Sequence, residues 1–327
     1  NLLKNILWKF TSLNQFTKKE FGEDTGFSKK LNRSVPDNLK IGESWEIVDR
    51  DEDQSEVTSG KHKGFTLRQL IADHSEYLMG PSWPKDNPFP LLIKWLDCSE
   101  RLSLQVHPPK EISDQLGGEP KTENWYVFSA TPQAGLFVGL KKNVDKTIFT
   151  EALNQNRAEK FCHRVSSQDG DSILVKSGRI HAIDAGNLIL EIQQNSDTTY
   201  RVFDWERVGL DGKPRTLHID QSLKCIDFAD YEPMPIKTSP NKAVQCLADS
   251  ELFKIFKHST TADSFTMLKK ANEQCIIISV IKGEISIDDE KIGLGEQCIS
   301  PFGEECEVRC EDESSFLVTR DFHYQTH

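Results

Sequence analysis

The chain has 327 residues, with 51 Asp and Glu against 40 Lys and Arg, so its net charge at neutral pH is −11. That length suggests about two domains, each large enough to bury a core of its own. The acidic balance, without a long basic tract, argues against a nucleic-acid-binding protein, which needs a cationic surface for phosphates. The sequence also has no run of about 18 apolar residues, which excludes an integral membrane protein.

The eight cysteines are scattered along the sequence without a Cys-x-x-Cys pair. Their low density excludes a small disulfide-stabilised domain, and their spacing excludes a zinc finger. Residues 1–16 lack a cationic segment followed by an apolar segment and a cleavage site, so we interpret them as structured rather than as a secretory signal. Together these features predict a cytoplasmic protein with reduced cysteines.

Helical patterns are confined to the first half of the sequence. Thr66–Tyr77 begins with a capping threonine and carries apolar residues at helical spacing. Lys110–Leu116 and Thr147–Asn154 are shorter candidates. We therefore expect few helices, all of them before the middle of the chain.

Most other segments are predicted strands separated by Gly, Pro, Asn and Asp turns. The predicted strands are Glu43–Asp49, Arg101–His107, Asn124–Ser129, Asp171–Lys176, Asn187–Gln193, Ile276–Ile281, Glu284–Ile287 and Ser315–Thr319. This pattern predicts a mainly β fold of the sandwich or jelly-roll type. Three prolines within Tyr231–Asn241 mark a boundary, which divides the chain into domains at 1–235 and 236–327.

The strand over Arg101–His107 carries a polar stripe. Because side chains alternate along a strand, Ser103, Gln105 and His107 share the face opposite Leu104. Gln and His two residues apart could direct two ligand atoms to one point. A half-solvated strand would show the same alternation, so the pattern alone leaves both interpretations open.

Three later segments place further polar groups beside apolar strands. Lys121 and Glu123 precede an aromatic strand, and Gly178 forms a turn that presents His181. Glu191 then alternates with apolar neighbours. Each of these polar groups could lie on an ordinary solvent-exposed face. Four polar stripes together are less probable as an accident than a single one.

The combination of two imidazoles, a carboxylate and an amide oxygen suits Zn²⁺ or another first-row divalent ion. The residues that would supply these atoms are Gln105, His107, Glu123 and His181. No thiolate is needed, which agrees with the scattered cysteines.

These segments resemble the type I mannose-6-phosphate isomerases (phosphomannose isomerases) in their short bacterial form, within the cupin superfamily. The resemblance extends over about residues 40 to 228 and is specific in order and spacing. The matching segments are Gly42–Glu46, Phe89–Lys94, Leu102–Pro108, Lys121–Tyr126, Gly178–Ile183 and Glu191–Arg201. It implies a cupin jelly-roll catalytic domain with helical insertions, followed by a smaller degenerate cupin-like β domain.

The resemblance also implies a zinc-dependent aldose–ketose isomerase that interconverts mannose 6-phosphate and fructose 6-phosphate through an enediol. One Zn²⁺ per chain would be bound by Gln105, His107, Glu123 and His181. The implied catalytic residues are Arg201, Glu191, Lys121 and Asp197, with Glu191 as the candidate base and Lys121 or Asp197 as a relay. For the substrate phosphate we expect Ser103 with Lys121 or Arg179.

Two residues depart from the family pattern near the last ligand. Gly170, Gly178 and His181 resemble the second cupin motif, Gly-x5-Pro-x-Gly-x2-His-x3-Asn, in which Ala185 takes the place of the final Asn. Lys176 stands where this motif has proline, and Arg179 stands where the family usually has threonine. Neither removes a ligand, so they bear on substrate preference. A fainter copy of the motif begins at Gly295 and has Cys306 in place of the histidine, which predicts a second cupin without a metal.

Two alternatives remain open from the sequence. One is a sugar-phosphate-binding cupin without catalytic activity, and the other is a cupin isomerase that acts on a different sugar, since one fold hosts many chemistries. The expected partner is a small-molecule sugar phosphate. We expect no nucleic-acid or membrane partner, and a monomer.

Overall fold

The computed structural model describes residues 8–12, 26–33, 41–208, 212–288 and 290–323. Antiparallel strands dominate these residues, which confirms the predicted mainly β fold. Residues 1–16 were predicted to be structured and not a secretory signal. Of these, residues 1–7 and 13–16 lie outside the described residues. Within the described part, no helix is long and apolar enough to cross a membrane.

The first fourteen described strands are interrupted in a few places by helices. The strands before the predicted boundary are β1 (Trp8–Ser12), β2 (Glu43–Ile47), β3 (Ser55–Val57), β4 (Leu91–Cys98), β5 (Leu104–Val106), β6 (Glu123–Ala130), β7 (Gly135–Leu140), β8 (Cys162–Ser166), β9 (Asp171–Val175), β10 (His181–Ile183), β11 (Asn187–Gln194) and β12 (Tyr200–Phe203), and the next two strands, β13 (Ile236–Lys237) and β14 (Val244–Asp249), follow it. The helices are α1 (Gly26–Leu31), α2 (Leu67–Leu78), α3 (Lys110–Ser113), α4 (Lys146–Asn154) and α5 (Ile219–Cys225).

The rest of the described chain consists of strands. They are β15 (Lys254–Thr260), β16 (Ser264–Lys269), β17 (Ile276–Lys282), β18 (Ile285–Ile287), β19 (Glu290–Ile292), β20 (Gln297–Ser300), β21 (Cys306–Cys310) and β22 (Ser314–Arg320).

The helix predictions were correct for the three proposed segments but incomplete. Thr66 caps α2 as expected, because its side chain accepts the N–H of Gln69 and Gln69 reciprocates at the Thr66 N–H. The expectation of no helix in the second half is wrong, since α5 forms there. This helix is too short to show a periodic pattern, and packing of Cys225 against a neighbouring core stabilises it instead.

Two sheets form the first unit of the fold. A six-stranded sheet has the order β13-β9-β6-β11-β4-β2, and a five-stranded sheet has the order β12-β5-β10-β7-β8. Apolar side chains from both sheets, including Trp125, Val127, Leu136 and Ile183, fill the space between them. This is the two-layer arrangement predicted as a jelly roll.

Alternation along the strands directs polar side chains into the same interior. In β11, Leu190 and Ile192 pack into an outer core, so Glu191 lies on the opposite, inner face. In β5, Leu104 and Val106 pack outward against a helix-covered core, which leaves Gln105 on the inner face as predicted. The interior between the two sheets is therefore mostly apolar but contains polar side chains at one end.

The second unit pairs a seven-stranded sheet, ordered β14-β15-β22-β17-β20-β1-β3, with a four-stranded sheet, ordered β16-β21-β18-β19. Ile278, Val308 and Phe316 belong to the core between them. A further core, containing Trp95 and Ile277, joins the two units. The early strand β1 pairs with β20, and β13 pairs with β9 of the first unit. A domain division at residue 236 stays a prediction.

Candidate metal centre

Backbone pairing brings the predicted ligands together from separate strands. His181 in β10 lies directly opposite Gln105 in β5, so both side chains project from the same face of the five-stranded sheet. The N–H of Gly178 donates to the carbonyl oxygen of His107 at 2.9 Å, which ties the turn before His181 to the end of β5. Gly178 has φ +85°, a conformation that glycine adopts without strain.

Glu123 enters this group from the facing six-stranded sheet. Its Oε2 lies 3.3 Å from His107 Nε2, and its Oε1 lies 3.5 Å from His181 Nε2. An ion bound tetrahedrally at ordinary zinc–ligand distances separates its ligand atoms by about 3.4 Å. The amide nitrogen of Gln105 lies 3.3 Å from His181 Nε2 and donates to it, so this contact is made by the nitrogen and not by the amide oxygen that was predicted as a ligand.

The backbone fixes the tautomer of both imidazoles. His107 Nδ1 lies 2.8 Å from the carbonyl oxygen of Thr198, and His181 Nδ1 lies 2.8 Å from that of Arg179. A carbonyl can only accept, so each Nδ1 carries the hydrogen and donates. Each Nε2 then presents a lone pair toward Glu123, as metal-binding histidines do.

The donor atoms of this group fit a cation. Glu123, His107 and His181 are fully buried, yet His107 Nε2 and Glu123 Oε1 have no hydrogen-bond partner among the described residues, and Glu123 Oε2 has only an ion pair with the Lys121 ammonium there. Buried polar atoms of this kind are costly unless something binds them. Within the described chain, these three residues form the one group of His, Cys, Asp or Glu with ligand atoms all within 4.8 Å of one another.

The protonation states also suit metal binding. Burial, together with the nearby Lys121 ammonium, lowers the pKa of His107 to about 3 against the opposing effect of Glu123. Burial likewise lowers the pKa of His181. Burial alone would raise the pKa of Glu123, but Lys121 and His107 hold it well below its usual range. Near neutral pH the site therefore offers two neutral imidazoles and a carboxylate.

A series of buried charges of alternating sign extends from the metal ligands along the six-stranded sheet. Lys121 Nζ lies 3.0 Å from Glu123 Oε2 and 3.8 Å from Glu191 Oε1. Lys94 Nζ lies 3.1 Å from Glu191 Oε1 and 3.7 Å from Glu43 Oε2. All five side chains are buried. The structure thus brings together Lys121 and Glu191, both predicted catalytic residues.

Sequence reasoning missed Lys94 and Glu43 as members of this group. The available signal was the strand Leu91–Cys98, which is apolar except for Lys94 and Asp97. A lysine in the middle of such a strand is buried only when it is paired. Its partner could not be inferred, because Glu191 is supplied by a strand almost 100 residues later.

The environment of Glu191 suits proton transfer. Burial, reinforced by the Glu123 carboxylate, raises the pKa of Glu191 even though Lys94 and Lys121 oppose this shift. Its Oε2 accepts the indole N–H of Trp125 at 3.0 Å, whereas its Oε1 has no hydrogen bond within the described residues. The desolvation that a carboxylate base requires is therefore present.

Arg201 extends the row formed by His181 and Gln105. It lies opposite Gln105 in the β12–β5 pair, so its side chain starts from the same face of the sheet. Its Nη1 donates to the carbonyl oxygen of Thr216 at 2.8 Å, and its Nε is buried without a hydrogen-bond partner in the described part of the chain. Burial, with the nearby Arg215, lowers the pKa of Arg201.

The other predicted residues lie outside the ligand group. Arg179 directs Nε and Nη2 to the two Asp230 oxygens, each at 2.7 Å, and Nη1 to the carbonyl oxygen of Leu174. Asp197 is exposed and has no ion pair among the described residues. Ser103 is buried one residue before β5.

An open cleft runs beside the metal ligands between the two units. Pro109 and Thr122, which are two residues and one residue from His107 and Glu123, line one wall together with Lys176. The opposite wall comes from the hairpin over residues 249–254 and from His323. The cleft is therefore bounded by both units, and Pro109 and Thr122 connect its wall to the segments that carry His107 and Glu123.

In the degenerate motif, Cys306 is buried at the start of β21, where burial raises the pKa of its thiol to about 11. A protonated, buried thiol is a poor metal ligand. The absence of a metal from the second cupin-like unit stays a prediction.

Comparison with known proteins gives a consistent picture. The family model described as phosphomannose isomerase type I, catalytic domain, matches residues 10–129. A curated Streptococcus mutans protein named mannose-6-phosphate isomerase is 33% identical over 293 residues, covering 87% of this chain and 86% of that protein. The Bacillus subtilis mannose-6-phosphate isomerase ManA is 32% identical, covering 75% and 77%.

Solved structures agree over nearly the whole chain. The crystal structure of a Bacillus subtilis mannose 6-phosphate isomerase superposes with a TM-score of 0.82 at 28% identity, covering 96% of this chain and 99% of that one. A putative mannosephosphate isomerase from Archaeoglobus fulgidus, at 17% identity, shares the fold with a TM-score of 0.74 over 97% and 98%.

Proposed function

Because the chain belongs to the type I phosphomannose isomerase family, we propose that it interconverts mannose 6-phosphate and fructose 6-phosphate. The observation that carries this proposal is the buried group of His107, Glu123 and His181, with unsatisfied ligand atoms, beside a desolvated Glu191. A protein that only binds sugar phosphates has no need of a buried base next to a metal centre.

We assign Gln105, His107, Glu123 and His181 as the residues that hold one Zn²⁺. The donor set of neutral imidazoles, carboxylate and amide matches the preferences of this ion. When bound, Zn²⁺ supplies Lewis-acid polarisation of the sugar oxygens.

The reaction moves a proton between C1 and C2 through an enediol. Glu191 is the proposed base: its Oε1 is buried without a hydrogen bond of good geometry in the described structure and faces the Lys94 and Lys121 ammonium groups at 3.1 Å and 3.8 Å. The proton taken from one carbon is returned to the other by the same carboxyl group. Lys121, 3.8 Å from Glu191, is the supported relay to the sugar oxygens. Asp197, the other predicted relay, is exposed and remains the less supported choice.

Arg201 is proposed to stabilise the negative charge that develops on the sugar oxygens. The pairing of Arg201 with Gln105 between β12 and β5 supports a position of its positive charge near the ligands. Charge arranged before the reaction contributes strongly in a site that excludes water.

For the substrate phosphate, Ser103 and Lys121 remain proposed contacts. Arg179 has all three guanidinium nitrogens engaged by Asp230 and Leu174, which favours a role in holding the turn before His181. The cleft beside Pro109 and Thr122 is the proposed substrate entry.

The test is formation of fructose 6-phosphate from mannose 6-phosphate by the purified chain. We expect turnover, loss of turnover after treatment with a chelator, and recovery with Zn²⁺. Competition by inorganic phosphate tests whether the phosphate group is recognised. Absence of turnover in protein with one bound zinc would contradict the proposal and favour a binding protein or another sugar.

Two further expectations accompany this proposal. All eight cysteines lie in the described part of the chain and none forms a disulfide, which supports a reducing, cytoplasmic location. The monomeric state stays a prediction, to be measured by light scattering during size-exclusion chromatography.

A further inference from the structure

Lys94 is buried between two carboxylates that belong to different strands. It lies in the centre of β4, with Glu191 of β11 directly opposite it in the pairing and Trp45 of β2 opposite on its other side. Its Nζ is 3.1 Å from Glu191 Oε1 and 3.7 Å from Glu43 Oε2. Burial alone would lower the pKa of Lys94, but these carboxylates raise it overall, so the ammonium stays charged.

Two indole groups also donate hydrogen bonds to these carboxylates. Trp125 Nε1 donates to Glu191 Oε2 at 3.0 Å, and Trp45 Nε1 donates to Glu43 Oε2 at 2.9 Å. The Glu191 carboxylate is thereby fixed at Oε2 by a neutral donor and attracted at Oε1 by a cation. Lys94 is consequently shared between the carboxylate proposed to react and one that lies further from the ligands.

We infer that Lys94 is a positioning residue for the reaction: it keeps Glu191 ionised and directs Oε1, while Glu43 weakens this hold by competing for the same ammonium. The inference rests on the proposed function, because it requires Glu191 to transfer the proton.

The charges that face Glu191 determine the direction of each expected effect. Lys94 from β4 and Lys121 from the segment before β6 favour the ionised form, whereas Glu123 of β6 and Glu43 of β2 oppose it. An opposite charge at such distances lowers a carboxyl pKa by roughly 1–3. Removing Lys94 must therefore make Glu191 harder to ionise, and neutralising Glu43 must make it easier.

The experiment compares Lys94→Met and Glu43→Gln in the zinc-loaded protein. We expect the acid limb of the pH profile of kcat/KM to move to higher pH in Lys94→Met, by roughly 1–3 on the pH scale. We expect the limb to move to lower pH in Glu43→Gln, which keeps an acceptor for Trp45. If the acid limb of Lys94→Met moves up by about one on the pH scale, kcat measured at a pH below that limb should fall by roughly tenfold. KM should change much less. Lys94→Arg should recover part of kcat.

A second measurement does not depend on turnover. Because Trp125 donates to Glu191, its fluorescence should report the ionisation of that carboxyl group. The Trp125 signal is the part of the fluorescence that is lost in Trp125→Phe. Its pH midpoint should move to higher pH in Lys94→Met and to lower pH in Glu43→Gln. Zinc content, measured across the same pH range, separates this midpoint from metal loss.

A matched control is Lys269→Met, since Lys269 is also a buried lysine but its ammonium donates to the carbonyl oxygen of Glu304 in the second unit. It should leave the pH profile unchanged. If neither Lys94→Met nor Glu43→Gln shifts the pH profile of kcat/KM or the fluorescence midpoint, the inference is wrong. Turnover by the wild-type protein would still support the proposed function in that case. If Lys94→Met does not fold, Glu43→Gln alone decides, since only this inference predicts its downward shift. Absence of wild-type turnover would instead remove the proposed function.

Discussion

Trp95 donates its indole N–H to the carbonyl oxygen of Gly295 at 3.1 Å, so the first residue of the degenerate motif is held against the strand that carries Lys94. The same carbonyl accepts Nη2 of Arg33 at 2.7 Å. Further along the motif, the N–H groups of Phe302 and Gly303 donate to carbonyl oxygens at the end of α2. The turn geometry of this motif therefore serves to attach the second unit to the first.

Gly303→Ala should destabilise this attachment. A Cβ at Gly303 would lie 2.5 Å from Cδ2 of Tyr77, whose hydroxyl also donates to Glu304, so the ring cannot move aside freely. We expect a loss of roughly 1–3 kcal/mol in the free energy of unfolding, measured by urea denaturation. Gly293→Ala is the matched control, because its nearest contact would be at 3.6 Å. Equal stability of the two variants would contradict this account.

His107→Ala and His181→Ala should lose bound zinc and activity together. Each removes an imidazole whose Nε2 faces Glu123 and leaves that buried carboxylate less compensated. Zinc per chain is measured by atomic emission beside turnover. Zinc binding should also stabilise the fold, by about 4 kcal/mol when free zinc is 1,000 times Kd. Full zinc occupancy in either variant would show that the ligand assignment is wrong.

Arg201→Ala should retain zinc and lose turnover. Arg201 contributes no contact to His107, Glu123 or His181 among the described ion pairs and hydrogen bonds, so the ligands remain in place. By comparison with other electrostatic donors, kcat should fall by roughly 100- to 1,000-fold. Near-normal kcat at full zinc occupancy would exclude the role assigned to Arg201.

His258 should make the second unit sensitive to acid. Its ring stacks on Phe316, its partner in the β15–β22 pair, at a centroid distance of 5.3 Å. Burial, with a contribution from Arg320, lowers the pKa of His258 to about 4. Between the unfolded value of about 6.5 and 4, the unfolded chain binds more protons than the folded one. Above about pH 6.5, His258 therefore has no effect on the free energy of unfolding. As the pH falls from about 6.5 to about 4, protonation of His258 in the unfolded chain lowers that free energy.

The corresponding variant is His258→Phe, which keeps a ring on Phe316 and removes the titration. It should abolish up to roughly 3 kcal/mol of the loss in unfolding free energy between pH 6.5 and 4. Urea denaturation of metal-free protein at several pH values measures this difference. A variant with the same pH dependence as the original chain would assign the acid sensitivity to other groups.

The sequence predicted those parts of the site that depend on local alternation. The inward faces of β5 and β11 follow from residues that are neighbours in sequence, and so Gln105 and Glu191 were placed correctly. Contacts set by strand order were not predictable. Neither the pairing of Lys94 with Glu191 nor the engagement of Arg179 by Asp230 is visible in a local pattern, since each partner is far away along the chain.

The strand β1 joins β20 on one side and β3 on the other. Trp8 is paired with Ile299, so one edge of this early strand has no partner until almost the entire chain has left the ribosome. An unpaired edge can meanwhile bind other extended chains. We expect the sandwich that contains the ligands to form first during synthesis. Completion of the seven-stranded sheet by β20 and then by β22, which lies between β15 and β17, should be the late event in folding.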